Sequence, residues 1–174
     1  MKRQPGVVIG VVQDRDDPSG QGRVKLTFPW LSENQQSAWA PIAAPMAGKE
    51  RGQWFMPEVG DEVLVAFEQG DFAHPFVVGF LWNGVDKTPD TDPKHRLIVT
   101  PGGHQLRFED NDGAKRVTLK TSAGFSADMD ETAKTLTLKT PGGLSLTLDD
   151  TSTSITLSGG GRQIAMSGGQ VQIT

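Results

Sequence analysis

The chain has 174 residues, of which 36% are hydrophobic and 22% charged, with a formal charge of −4 and no cysteine. That length suits one ordinary domain, or a small domain with an elongated appendage, and excludes a large multidomain enzyme. No apolar run approaches the ~20 residues that cross a bilayer, disulfides and thiolate chemistry are excluded, and the acidic balance argues against an extended basic nucleic-acid surface.

The amino-terminal Met1-Lys2-Arg3-Gln4-Pro5-Gly6 is followed by a short apolar run, Val7 to Val12, and then by Gln13-Asp14-Arg15-Asp16-Asp17. A secretory h-region needs a longer run, so synthesis in the cytoplasm without a signal peptide is expected. From there, strand-length apolar and β-branched runs recur between turn signals: Val7–Val12, Arg23–Phe28, Ala38–Ala43, Glu62–Phe67 and Pro75–Leu81. Breakers such as Asp17-Pro18-Ser19-Gly20, Pro57-Glu58-Val59-Gly60-Asp61 and Gln69-Gly70-Asp71 separate them, and no window sustains a 3.6-residue apolar period. Five short strands predict a small closed barrel over residues 1–85, with the five-stranded OB-fold as the leading form; a small sandwich or SH3-like barrel has the same pattern.

Residues 86–96, with Asp86-Lys87-Thr88-Pro89-Asp90-Thr91-Asp92-Pro93-Lys94, are polar and aperiodic and are expected to be a linker. All four tryptophans (Trp30, Trp39, Trp54, Trp82) precede it, whereas residues 97–174 hold 12 of the 15 threonines and only Phe108 and Phe125 as aromatics. A conventional core is therefore expected in the first half alone.

The second half, 97–174, repeats. Apolar residues alternate at Leu106/Phe108, Val117/Leu119, Leu136/Leu138, Leu144/Leu146/Leu148, Ile155/Leu157, Ile164/Met166 and Val171/Ile173, and Val117, Leu136 and Ile155 are 19 residues apart each time. Glycine-bearing turns recur at Pro101-Gly102-Gly103, Ala123-Gly124, Pro141-Gly142-Gly143 and Gly159-Gly160-Gly161. Each strand has one dry face two or three side chains wide, too little to offset backbone ordering of about 1–2 kcal/mol per residue in an isolated chain. Identical chains with their dry faces inward, as a β-prism or intertwined β-helix, make burial efficient, and a cyclic homotrimer is the simplest such assembly. A single-chain β-solenoid or a long antiparallel meander fits the same periodicity.

The series Gly10-Val11-Val12, Asp17-Pro18, Gly22-Arg23-Val24-Lys25, Phe28-Pro29-Trp30, Trp39-Ala40, Pro57-Glu58-Val59-Gly60-Asp61-Glu62-Val63, Phe67, Gly70-Asp71 and Gly79 resembles the OB-fold domain of the phage baseplate assembly protein V and valine-glycine repeat protein G (VgrG) spike family. The glycine-punctuated strands that follow are similar to that family's trimeric β-helical needle. The resemblance implies an all-β chain, an N-terminal OB barrel followed by an intertwined trimeric β-helix. It also implies a structural role, as the central spike of a contractile injection machine: a phage tail, a type VI secretion apparatus or an extracellular particle. Implied partners are two further copies, a baseplate hub protein on the OB side, a tip protein of the proline-alanine-alanine-arginine (PAAR) type, and transiently the target envelope. The long hub-forming domain of VgrG proteins is not in this chain, which implies a separate hub protein or a truncated chain.

Residues expected in the trimer interior are Val117, Leu119, Leu136, Leu138, Leu146, Leu148, Ile155, Leu157, Ile164 and Met166. The terminal strand Gln170-Val171-Gln172-Ile173-Thr174 ends in mid-period, and the resemblance implies that the tip protein covers it. No catalytic residue, metal site or cofactor is expected: His74, His95 and His104 are scattered, Glu109-Asp110-Asn111-Asp112-Gly113 has hairpin rather than calcium-loop spacing, and Gly159-Gly160-Gly161 lacks the ending of a phosphate loop. The competing functional reading is an OB-type nucleic-acid or oligosaccharide module carrying a single-chain solenoid. The acidic balance of residues 1–96 (10 basic, 13 acidic) weighs against nucleic acid, and Trp30, Trp39 and Trp54 are expected in core or interface packing.

Overall fold

The computed structural model describes residues 3–31 and 35–174; Met1 and Lys2 of the amino-terminal stretch lie outside them. The chain divides into two compact units, Met1–Thr88 and Pro89–Thr174, and among the described residues the regular structure is β apart from one 3-10 turn at Glu68–Gly70.

The first unit contains β1 (Val7–Asp14), β2 (Lys25–Thr27), the short hairpin β3 (Ala47–Gly48) and β4 (Arg51–Gly52), β5 (Glu62–Phe67) and β6 (Pro75–Leu81). One sheet has the order β2-β1-β5-β6, all antiparallel. The expected strand at 38–43 is reduced to isolated bridges, Val24 to Ala40 and Ile42 to Val77, the latter parallel. The reason is Pro41, which has no N–H to give a ladder; its carbonyl still accepts from Val77 N–H at 3.0 Å, while Val24 and Ala40 exchange bonds of 3.0 and 2.8 Å. This segment therefore spans the open edges of β2 and β6 and closes a five-segment barrel, the topology of an OB-fold.

Period-two alternation fills the barrel. In β5, Val63, Val65 and Phe67 point inward and are buried, and they meet Val12, Val24, Leu26, Phe28, Ala40 and Val77. Gly10 lets β1 approach closely, since a Cβ there would be 3.0 Å from Val65 Cγ2. Phe28, Phe67 and Phe72 stack at one end with ring centroids 5.2–5.8 Å apart, a spacing at which tilted aromatic pairs attract. No tryptophan belongs to this core. Trp54 is 72% and Trp30 44% exposed, so the core alternative for these two rings gives way to a surface position.

The second unit is one nine-stranded antiparallel meander: β7 (His95–Val99), β8 (Gln105–Glu109), β9 (Arg116–Lys120), β10 (Ser126–Asp130), β11 (Thr135–Lys139), β12 (Ser145–Asp149), β13 (Ser154–Gly159), β14 (Arg162–Ser167) and β15 (Gln170–Ile173). Each strand pairs with its sequence neighbours in the same chain, and the 19-residue repeat is one hairpin of this sheet. Two turn types alternate. On one side Thr100, Thr121 and Thr140 close tight turns, each carbonyl accepting from the N–H of Gly103, Gly124 and Gly143 respectively. On the other, Asp130 Oδ1 accepts from Thr132 and Ala133 N–H and Asp149 Oδ1 from Thr151 and Ser152 N–H, at 2.8–3.1 Å. These carboxylates hold the turns whose last residues, Lys134 and Thr153, take positive φ.

Candidate functional site

Register decides which side chains share a face, because partners directly opposite in an antiparallel pair point the same way. One column across the second unit runs Ile98, Leu106, Leu119, Ala127, Leu138, Leu146, Leu157, Ile164, Ile173. The adjacent column on the same face runs Arg96, Phe108, Val117, Met129, Leu136, Leu148, Ile155, Met166, Val171. A third column, at the threonine turns, adds Phe125 and Leu144, which with Leu119, Ala127 and Leu138 line a shallow apolar hollow. All ten residues expected in a trimer interior fall in the first two columns. Arg96, within 3.6 Å of Asp110, is the single charged member.

The other face is mostly polar, with Leu97, Val99 and Ala165 as its apolar members. Thr118, Thr137, Thr147 and Thr156 occupy its centre with Arg107 and Asp128, and β-branched threonines suit a pleated solvent face. Arg116 pairs with Asp130 and, at 3.5 Å, with Asp128. Asp90 accepts from Asp92 N–H (2.9 Å), His95 Nδ1 (3.0 Å) and Arg107 Nη1 (2.6 Å), and these bonds, the backbone one foremost, hold its carboxyl well below the usual carboxylate range.

The dry face has no cover within the described residues. No side chain of the second unit is buried, and Leu119, Leu138, Leu157, Ile164 and Met166 are each about half exposed. A contiguous apolar surface of this extent marks an interaction site. At the β15 edge, Gln163 and Thr174 exchange both backbone bonds at 2.8 and 2.9 Å. Antiparallel alternation then turns the N–H and C=O groups of Val171 and Ile173 away from β14, and Ile173 is 76% exposed. Of the expected tip-binding residues, Val171 and Ile173 lie on the dry face and Gln170 and Gln172 on the polar one.

The histidines stay apart. His74 Nδ1 is 3.0 Å from Asp71 Oδ2, His95 sits between Asp90 and Asn111, and His104 Nδ1 accepts from Ser122 N–H at 3.3 Å. Among the described residues no group of three or more histidines and carboxylates is placed to hold a metal.

In the barrel, Arg15, Arg23 and Lys25 are each engaged by a neighbour. Arg23 makes a bidentate pair with Asp17 at 2.9 Å, Arg15 is 2.6 Å from Glu58, and Lys25 Nζ lies 5.2 Å over the Trp39 ring. Asp17, only 2% exposed, also accepts from the N–H groups of Ser19 and Gln21; the Arg23 guanidinium is the main reason its carboxyl ionises far below the usual range. Two features had no sequence signature: this Asp17-centred loop and a cleft of about 560 Å³ lined by Ile42, Met46, Trp54, Phe55 and Phe80. Asp17-Pro18-Ser19-Gly20 shows a turn, but not that its carboxylate organises the chain through Arg23. Trp54 lies across Gly22, where φ is +70° and a Cβ would stand 2.2 Å from the indole.

A closed barrel joined in sequence to a meander with one dry face defines a class of all-β assembly protein. Residues 8–82 match the family model of the type VI secretion system/phage-baseplate injector OB domain. The chain is 30% identical over 118 residues to the type VI secretion system spike protein VgrG3 of Vibrio cholerae, covering 61% of this chain and 12% of that protein. It is 32% identical over 127 residues to VgrG5 of Pseudomonas aeruginosa (66% and 16%) and 27% identical over 136 residues to VgrG2a of the same species (71% and 16%), both also type VI secretion system spike proteins. Residues 8–82 thus carry an injector-type OB domain, the chain is similar to spike proteins of the VgrG type, and it spans 12 to 16% of the length of these relatives.

Proposed function

We propose that the chain is the structural, non-enzymatic spike of a contractile injection machine of the type VI or phage-baseplate kind, acting as a homotrimer. The observation that carries this reading is the apolar face of the nine-strand meander, broken by a charge only at Arg96. Its strands are mostly five residues long, which at about 3.4 Å per residue is about 17 Å, and facing sheets pack about 10 Å apart, or about 5 Å from a shared axis. A triangle of side about 17 Å has an inscribed radius of about 5 Å, whereas a square of that side leaves about 8.5 Å and an empty channel. Three sheets therefore fill their own interior. Covering the exposed half of ten such side chains is worth roughly 10 kcal/mol per copy before association costs.

Pairing within each chain leaves the copies to share faces rather than ladders, so the needle is stiff in two independent ways: hydrogen bonds along its length and dry packing across it. The barrels dock on a baseplate hub, and contraction drives the needle into the target envelope. The free β15 edge, with Val171 and Ile173, seats a PAAR-like tip. Assembly takes place in the cytoplasm and delivery at the target surface.

The test is the solution mass by light scattering, repeated in detergent and after mild heating: three times 18.7 kDa supports the spike, and a monomer removes it. Deleting residues 170–174 is expected to abolish tip binding with the trimer intact; retained binding would place the tip elsewhere.

A further inference from the structure

The rung formed by β10 differs from those around it. Its inward side chains are Phe125, Ala127 and Met129, large at both ends and small in the middle, whereas β9 presents Thr121, Leu119 and Val117 and β11 presents Thr140, Leu138 and Leu136. Ala127 is the one small residue of the central column, and above it the face sinks into a hollow of about 410 Å³. Phe125 forms a wall of that hollow without filling it, and both Phe125 and Met129 remain about half exposed.

A hollow bounded by aliphatic and aromatic side chains loses dispersion contacts unless another group enters it. Around a three-fold axis the threonine-turn end of each sheet meets the opposite end of the next, which sets the Phe125 column of one copy beside the Met129 column of its neighbour. We propose that Phe125 of each copy packs against Met129 of the next at the corners on either side of Ala127, forming one layer that fixes the axial register of the three sheets. Bulk withdrawn from the centre of this rung is returned at its corners, as interdigitating cores require, and a polarizable thioether against an aromatic ring is a favourable pair. The occupant is a second copy of this chain because both members of the corner pair belong to the rung whose centre is withdrawn at Ala127. The inference rests on the trimeric reading above.

The chain has no cysteine, so a Phe125→Cys/Met129→Cys variant carries only the introduced thiols. Within one strand the two positions are about 13 Å apart, beyond the roughly 7 Å limit for a disulfide; any bridge between them joins two copies. Mild oxidation is expected to move most of the chain from 18.7 kDa to three times that mass on a non-reducing denaturing gel, while either single variant does not form the covalent trimer. A trimer by light scattering that stays unlinked, or that links better through Phe125→Cys/Leu136→Cys, overturns the register and leaves the trimer standing. A monomer by light scattering for the unsubstituted chain overturns both. Should the double variant fail to assemble, a benzophenone amino acid at position 125 keeps an aromatic ring there: photo-cross-linking to the neighbouring copy's Met129 supports the layer, and cross-linking to another rung overturns it.

Discussion

Leu138 occupies the central column of the dry face and is 44% exposed in the single chain. If the sheet works alone, Leu138→Ala is a surface change worth at most about 0.5 kcal/mol. If three sheets close on it, each copy loses a buried leucine, at about 2–5 kcal/mol apiece. Three equivalent sites then weaken the trimer by about 6–15 kcal/mol, which at 1.4 kcal/mol per decade is at least four orders of magnitude in the association constant. Leu138→Asp goes further by gathering three carboxylates near one axis, where unpaired buried charge is strongly unfavourable. Sedimentation or light scattering across a dilution series reads the mass, and thermal unfolding reads the stability. Both variants are expected to dissociate at concentrations where the unsubstituted chain is fully trimeric, and the aspartate variant is expected to yield no trimer. A soluble Leu138→Asp trimer with an unchanged melting temperature would refute the interior assignment.

Three further outcomes follow from the barrel and the edge. The Asp17 carboxyl is held below its usual range by Arg23 and backbone N–H groups, so the folded barrel binds fewer protons than the unfolded chain; this stability is complete above about pH 4 and is lost as pH falls through the folded value. Asp17→Asn should lower the melting temperature at neutral pH and flatten the acid limb of a tryptophan-fluorescence titration; an unaltered acid limb would mean that the pair with Arg23 does not contribute. Gly22→Ala places a Cβ on a φ of +70° and into the Trp54 ring, a backbone cost of about 1–2 kcal/mol before the indole moves, and should shift Trp54 emission; unchanged emission and stability would contradict the close approach. Lys or Glu at Val171 should weaken tip binding without changing the mass of the trimer, since that side chain stands at the open edge; undiminished binding would remove β15 from the tip contact.

How much of this was legible in the sequence depended on whether a local pattern survived its tertiary setting. The strand-and-turn repeat was readable because Val117, Leu136 and Ile155 recur every 19 residues and each turn carries its own glycine or aspartate, but the pattern fitted an intertwined β-helix as well as the meander in which each strand pairs within its own chain. The third barrel segment was located, but Pro41 reduces it to bridges that only the positions of Val24 and Val77 complete. The hairpin at Ala47–Gly52 has no apolar period to betray it. The tryptophans misled in part because size and apolarity say that a ring wants cover without saying whether the cover is its own chain. The shared face of the ten residues expected in an interior was legible as a period, whereas the hollow at Ala127 needed three rungs seen together.

The alternating turns of the meander carry a consequence for growth. Because each hairpin touches only the hairpins before and after it, a 19-residue unit can be duplicated or deleted without retuning any other part of the sheet, much as repeat arrays tolerate added modules. Each unit contributes two strands at a spacing of about 4.8 Å, so reach is adjustable in steps of about 10 Å. Length in such a chain is a quantity that recombination can set directly, by counting hairpins.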